Sequence, residues 1–99
     1  MHISFEVPED FGLESPKGQQ ALEKWLREFS ESPGSEWKIW MHDEENGRHG
    51  SVYLFESQEA LQKHLNSESM ELVRENMEDI SIQTYDIMEE LSQKTNAPV

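Results

Sequence analysis

Apolar and polar residues alternate from the start of the chain. Ile3, Phe5 and Val7 are separated by Ser4 and Glu6 and preceded by His2, the period of two of a strand with one apolar face. Pro8 and Phe11-Gly12 end the run. Ser15-Pro16 then offers a helix N-cap followed by proline at the first helical position. Leu22, Trp25, Leu26 and Phe29 form one stripe of an amphipathic helix, which Ser32-Pro33-Gly34 stops. From Glu36 to Phe55 two strands flank Asn46-Gly47, the favoured pair for a two-residue type I′ turn. A turn there sets Glu45 against Arg48, Met41 against Val52, Trp40 against Tyr53 and Ile39 against Leu54. Ile39, Met41, Val52 and Leu54 then share one face, and Lys38, Trp40, His42, Ser51, Tyr53 and Phe55 the other. Ser57 caps a second helix with Ala60, Leu61, His64 and Leu65 on one side; Asn66-Ser67 breaks it, and Met70, Val73 and Met77 resume the stripe. Ile80 to Ile87 reads as the last strand and Glu89 to Val99 as a polar tail.

The order β-α-β-β-α-β predicts an α+β, ferredoxin-like domain, four antiparallel strands with two helices on one face. Residues 1–88 make this single domain, and 89–99 a polar C-terminal tail placed against a dimer partner. Ile3, Phe5, Val7, Ile39, Met41, Val52 and Leu54 suit the face beneath the helices. The opposite face then carries Trp40, Tyr53, Phe55, Tyr85 and Ile87, a patch larger than monomers leave exposed. Burying each of those side chains is worth about 1.5–3 kcal/mol. A homodimer packed sheet to sheet is the expected solution.

Charge narrows the partners. The 99 residues carry 8 Lys+Arg against 21 Asp+Glu, a formal net charge of −13. Nucleic-acid binding depends on cations that displace counterions from phosphates, and an anionic membrane surface attracts cations too; both are disfavoured. No apolar run reaches the ~20 residues of a membrane span, and Met1 leads straight into a strand rather than a signal peptide. With Cys at 0 there is no disulfide framework, thiol nucleophile or cysteine metal site. The expectation is a soluble, cytoplasmic protein. Three Trp, four Phe and two Tyr in periodic blocks argue against disorder despite the acidity.

Several residues in this frame carry a family pattern. Ser32-Pro33-Gly34, Trp37-Lys38-x-Trp40, Tyr53-Leu54-Phe55 after the short hairpin, Tyr85-Asp86, His2-x-x-Phe5 and Leu91-Ser92-Gln93 resemble the YdhR-type mono-oxygenase family over nearly the whole chain. The resemblance implies a dimeric α/β barrel related to antibiotic-biosynthesis-type mono-oxygenases, which oxidise aromatic substrates without metal or flavin. His42, the Asn46-Gly47 turn and the acidic second helix depart from the family pattern.

Such an oxygenase needs an electron-rich phenol or enol, a group to take its proton, donors to hold the anion, and a dry aromatic-lined pocket. His2, Tyr53 and Trp40 are the candidate catalytic residues, with the phenol and indole as donors and either His2 or His42 as base. Phe55, Tyr85 and His42 are the candidate substrate contacts, and O2 the second substrate. No cofactor and no metal are expected: the four His lack close paired spacing, and there is no Gly-rich phosphate loop or serine nucleophile elbow. A haem-degrading relative of this fold would need a helical histidine ligand, for which only His64 is placed. The same aromatics also read as interface packing, so the alternative is a non-catalytic dimeric module binding a hydrophobic metabolite. His64, between Leu61 and Leu65, reads as partly buried against the sheet, and Trp25 as core.

With −13 on so small a body, self-repulsion lowers stability where screening is weak. The melting temperature is expected to rise between ~10 mM and ~150 mM NaCl, the range over which the Debye length shortens from about 30 to 8 Å. A flat profile in differential scanning fluorimetry would mean that the acidic groups are already paired or dispersed.

Overall fold

Serine hydroxyls set where the helices begin. Ser15 Oγ accepts from the Gly18 N–H at 3.0 Å, Ser57 Oγ from Ala60 at 3.2 Å and Ser67 Oγ from Met70 at 3.4 Å, each satisfying a donor that a helix N-terminus leaves open. The computed structural model describes residues 1–12 and 14–99. In it these caps open α1 (Pro16–Glu31), α2 (Gln58–Leu65) and α3 (Glu68–Asn76). Strands β1 (His2–Glu6), β2 (Ser35–Asp43), β3 (Arg48–Phe55) and β4 (Glu78–Gln83) form one antiparallel sheet in the order β2-β3-β1-β4. The α+β ferredoxin-like fold is therefore as expected, and the break at Asn66-Ser67 divides its second helix in two. A short helix α4 (Glu89–Lys94) lies in the tail.

The hairpin differs from the two-residue turn. Glu44–Asn46 wind into a single 3-10 turn, Gly47 takes the left-handed conformation at φ 63, and pairing begins at Asp43–Arg48. The register is moved by two residues: Ile39 faces Val52, Lys38 faces Tyr53 and Trp40 faces Ser51. Because strand side chains repeat every two residues, a shift of two keeps both face sets intact.

What changes is which set faces the helices. Ile3 of β1 lies opposite Ser51 and Phe5 opposite His49, so the apolar side of β1 continues into Ser51, Tyr53, Lys38 and Trp40. Ile3, Phe5 and Tyr53 are buried with Leu61, Met70, Val73 and Met77 in the core. Ile39, Met41, Val52 and Leu54 occupy the other side, where Ile39 is 53% and Met41 41% exposed. The aromatic set thus faces the helices and the aliphatic set takes the other side, with Leu54 buried there and Ile39 and Met41 open, the reverse of the sequence expectation for which face the helices cover.

Strand β4 is also shorter, stopping at Gln83, so Tyr85 and Ile87 stand beyond the sheet, both exposed. The tail returns to β2, where Trp37 Nε1–H donates to the Pro98 carbonyl at 3.0 Å. On α1 the most buried positions are Gly18 and Ala21, with Trp25 and Phe29 packed on the core, while Leu26 turns outward. Gly18 is required by contact: a Cβ there would stand 1.9 Å from the Gly12 carbonyl oxygen.

Glycine-to-alanine inside a helix normally stabilises by about 0.8–1 kcal/mol. Here Gly18→Ala should instead destabilise, by about 1–3 kcal/mol, since backbone must move to admit the methyl group. Urea denaturation measures the sign, and a stabilised variant would contradict this packing of α1 on the segment before it.

Candidate active site

The inward face of the β2–β3 hairpin builds the site. Alternation along β2 sends Lys38 and Trp40 under the helices, and alternation along β3 sends Ser51 and Tyr53 there too. From above, α1 contributes Trp25, α2 contributes His64, and α3 contributes Ser69, Met70 and Val73; with Phe5 and His49 these enclose a chamber of about 30 Å³. That volume admits a water or two but no aromatic ring. Trp40, Met41 and His49 separate it from an open groove of about 360 Å³, whose other walls are Leu22, Leu26 and His42. Trp40, 41% exposed, stands where chamber and groove meet.

The chamber holds an amine with no counter-ion. Lys38 Nζ lies 3.5 Å from the Trp40 ring centroid, 4.6 Å from that of Tyr53 and 6.0 Å from that of Trp25. Ring faces attract a cation, but no carboxylate among the described residues forms an ion pair with it. Burial lowers its pKa to about 7. His64 is 5% exposed, its ring 5.0 Å from Tyr53 and 5.4 Å from Phe55, and its Nε2 has no hydrogen-bond partner. Burial first, then the nearby Lys38 charge, lower its pKa to about 4, against an upward pull from Glu28. Burial raises the Tyr53 phenol, and the Ser51 hydroxyl opposes that. His49 is lowered by burial and by His42, its directly paired neighbour.

Polar contacts above the chamber hold the helices together. Ser69 Oγ–H donates to the Glu28 carboxylate, and Trp25 Nε1–H donates to the Ser69 carbonyl at 3.3 Å. The position of α3 over the chamber is thereby tied to α1.

The structure brings together some of the sequence candidates and separates others. Trp40 and Tyr53 both face the chamber, and His42 lines the groove outside it. Phe55 stacks on Tyr53 at 5.8 Å and packs beside His64, behind the chamber wall. His2 pairs with Val52 and Gln83 and belongs to the opposite, open side of the sheet. Tyr85 is 65% exposed beyond β4 and donates its hydroxyl to Gln83 Oε1. Lys38 was not singled out from sequence, although its spacing of two from Trp40 places both on one strand face. His64 was read as a partly buried helix residue; it is almost wholly buried, with an unmatched nitrogen.

Comparison with known proteins gives a family. The family model described as "Putative mono-oxygenase ydhR" matches residues 1–98. The chain belongs to the ydhR mono-oxygenase family. No curated protein matches its sequence. Solved structures similar to this ydhR-family chain include an antibiotic biosynthesis monooxygenase, so described as putative, from Deinococcus radiodurans: 12% identical, covering 88% of this chain and 95% of that one, TM-score 0.60. A variant of SnoaB, described as a cofactor-independent oxygenase from Streptomyces nogalater, is 8% identical over 88% and 92% of the two chains, TM-score 0.61. MupZ from Pseudomonas fluorescens is 18% identical over 96% and 76%, TM-score 0.60. At such identities the likeness establishes the shared fold.

The unpaired amine has a consequence for stability. Lys38 titrates near 7 in the folded chain and near its ordinary 10.5 when unfolded. The unfolded state therefore binds more protons between those values, so this group adds stability as pH rises from 7 toward 10.5 and costs most below 7. Lys38→Met removes the cost. It should raise the melting temperature at pH 6 by about 4 °C or more, roughly the effect of 1 kcal/mol in a domain this size, with the gain shrinking by pH 10. A destabilised variant at pH 6 would contradict a half-buried, unpaired ammonium.

Proposed function

We propose that this ydhR-family chain is a cofactor-independent mono-oxygenase acting on a small aromatic or polycyclic phenol, as a homodimer. The observation that carries the reading is the apolar groove of about 360 Å³ that shares Trp40 as a wall with the chamber beneath the helices, where Tyr53 also lies. A groove of that size suits a ring system, while the chamber behind it presents groups fitted to a developing anion. The likeness in fold to SnoaB, itself described as a cofactor-independent oxygenase, supports it.

The chemistry needs only substrate and O2. Loss of the acidic proton leaves a phenolate or enolate, which passes one electron to O2. The resulting radical and superoxide combine at carbon to give a peroxide, and loss of water leaves a carbonyl. For an anthrone the ring CH2 becomes C=O: one oxygen atom of O2 enters the product and the other leaves as water with the two hydrogens.

Dimerisation is supported by the open side of the sheet. Ile39 and Met41 are exposed there, and Ile87, Met88 and Leu91 are exposed in the segment after β4. A second copy covering them removes a large apolar area from water. Sedimentation at low micromolar concentration should report twice the chain mass, with a folded monomer counting against the dimer.

Oxygen uptake with a panel of anthrones and hydroquinones tests the activity. Tyr53→Phe deletes one hydroxyl and should lower turnover by ~10²-fold if that hydroxyl supports the anion. Packing alone predicts a loss of about 1 kcal/mol of stability and an unchanged rate. Ligand-induced thermal shifts without oxygen uptake would instead favour a binding module.

A further inference from the structure

The chamber and the groove differ too much in size to hold the same part of a ligand. The groove accepts rings, whereas about 30 Å³ accepts one or two non-hydrogen atoms. The chamber is also lined by two polar side chains with unused hydrogen-bonding capacity. Lys38 Nζ is bound to no carboxylate among the described residues, and His64 Nε2 is buried and unmatched. Both side chains lie against the Tyr53 ring, Nζ 4.6 Å and the imidazole 5.0 Å from its centre. An unmatched buried donor is costly and an unmatched buried charge more so. A half-buried amine without a carboxylate and an unmatched buried nitrogen, both on the wall of one small chamber, suit an oxygen atom that arrives with the ligand.

We infer that Lys38 and His64 form the seat of a single anionic oxygen of the substrate. The chain is thereby selective for phenols and enols whose reacting hydroxyl projects unhindered from the end of the ring system. The inference rests on the oxygenase reading for its chemistry and deepens it. It names the group that receives the proton and the shape that is accepted.

The proton balance is direct. The neutral Lys38 amine takes the hydroxyl proton and becomes an ammonium, and the phenolate oxygen remains beside it as its counter-ion. Burial that holds the empty amine near 7 keeps about half of it neutral at neutral pH, as a base of this kind requires. Once the anion is seated the ammonium has the partner it lacks in the empty chain. His64, kept uncharged by burial and by Lys38, donates its ring N–H to the same oxygen without adding a second charge. Trp40 closes the mouth, with its ring against both Lys38 and the groove. A substituent on either carbon flanking the hydroxyl would have to enter the chamber, which has no room for it.

The test uses binding, so that it does not depend on turnover. The probes are 2-naphthol, naphthalene and 1,3-dimethyl-2-naphthol, followed by tryptophan fluorescence and by the ring resonances of 15N-labelled histidine. In wild type, 2-naphthol should bind tenfold or more tightly than naphthalene, as one charge-assisted hydrogen bond allows, and should move the His64 signals. The dimethyl compound should fall to the level of naphthalene or below. Lys38→Met should remove the preference for the hydroxyl while keeping the affinity for naphthalene. His64→Leu should reduce the preference in part, and serves where the first variant fails to fold.

Equal binding of naphthol and naphthalene by wild type, absence of binding by both, unmoved His64 signals, or a preference that survives Lys38→Met would each overturn the seat. Oxygen uptake separates the two claims. Naphthol seated on Lys38 with no phenol ever oxidised would sink the oxygenase and leave the seat. Turnover with an unchanged rate and pH profile in Lys38→Met would sink the seat and leave the oxygenase.

Discussion

Withdrawing an amine from water with no carboxylate beside it is unfavourable, and this sheet half-buries Lys38 in that way in a chain with 21 acidic side chains. Asp10, Glu68, Asp79 and Glu90 pair with other cations, all at exposed positions on their acidic side, and Glu28, above the chamber, takes the Ser69 hydroxyl rather than Lys38. The rings of Trp40, Tyr53 and Trp25 are what Lys38 has instead. They soften the desolvation of the ammonium without neutralising it. The site depends on that arrangement. The aromatic set of the hairpin faces the helices and surrounds the amine, and the aliphatic set takes the other side of the sheet.

That inversion explains which parts of the fold were legible in the sequence. Helix boundaries were, because each rests on a local signal: Ser15-Pro16 opens α1, Ser57 opens α2, and Asn66-Ser67 separates α2 from α3. Strand identity and the sorting of side chains into two faces were also legible, since both depend only on alternation. The orientation of the hairpin was not. Ile39, Met41, Val52 and Leu54 are the more hydrophobic set, and hydrophobicity alone would turn them inward. The choice is made by pairing with β1, where Ile3 meets Ser51 and Phe5 meets His49, a long-range register that no local pattern encodes. The turn was misjudged for a smaller reason: Asn46-Gly47 fits a two-residue turn, but the chain winds one 3-10 turn first and uses Gly47 to close it.

The site was legible to the same extent. Trp40 and Tyr53 attract notice as large aromatics with polar atoms, and the fold puts both at the chamber. Lys38 and His64 do not, because a lysine in a strand is ordinarily solvated and a histidine on an apolar helix face is ordinarily a partnered core residue. Their significance comes from what surrounds them in three dimensions: the missing counter-ion at one, the unmatched nitrogen at the other. Sequence separations of this kind, from residue 38 to residue 64, are bridged only when α2 is laid across β3. His2 shows the opposite case. It is conspicuous in the chain, yet its strand position sends it to the far side of the sheet from Trp40 and Tyr53.

The ionisation of Lys38 itself is the most direct point of contact with experiment. Selective 13C or 15N labelling of lysine and an NMR titration of the ligand-free protein would follow its Nζ against the other lysines, with Lys38→Met assigning the signal. A half-buried, unpaired amine predicts a midpoint near 7, well below the ordinary lysine value of 10.5. A midpoint near 10.5 would show that Lys38 is solvated or paired, and the chamber would then lack the group on which its chemistry depends.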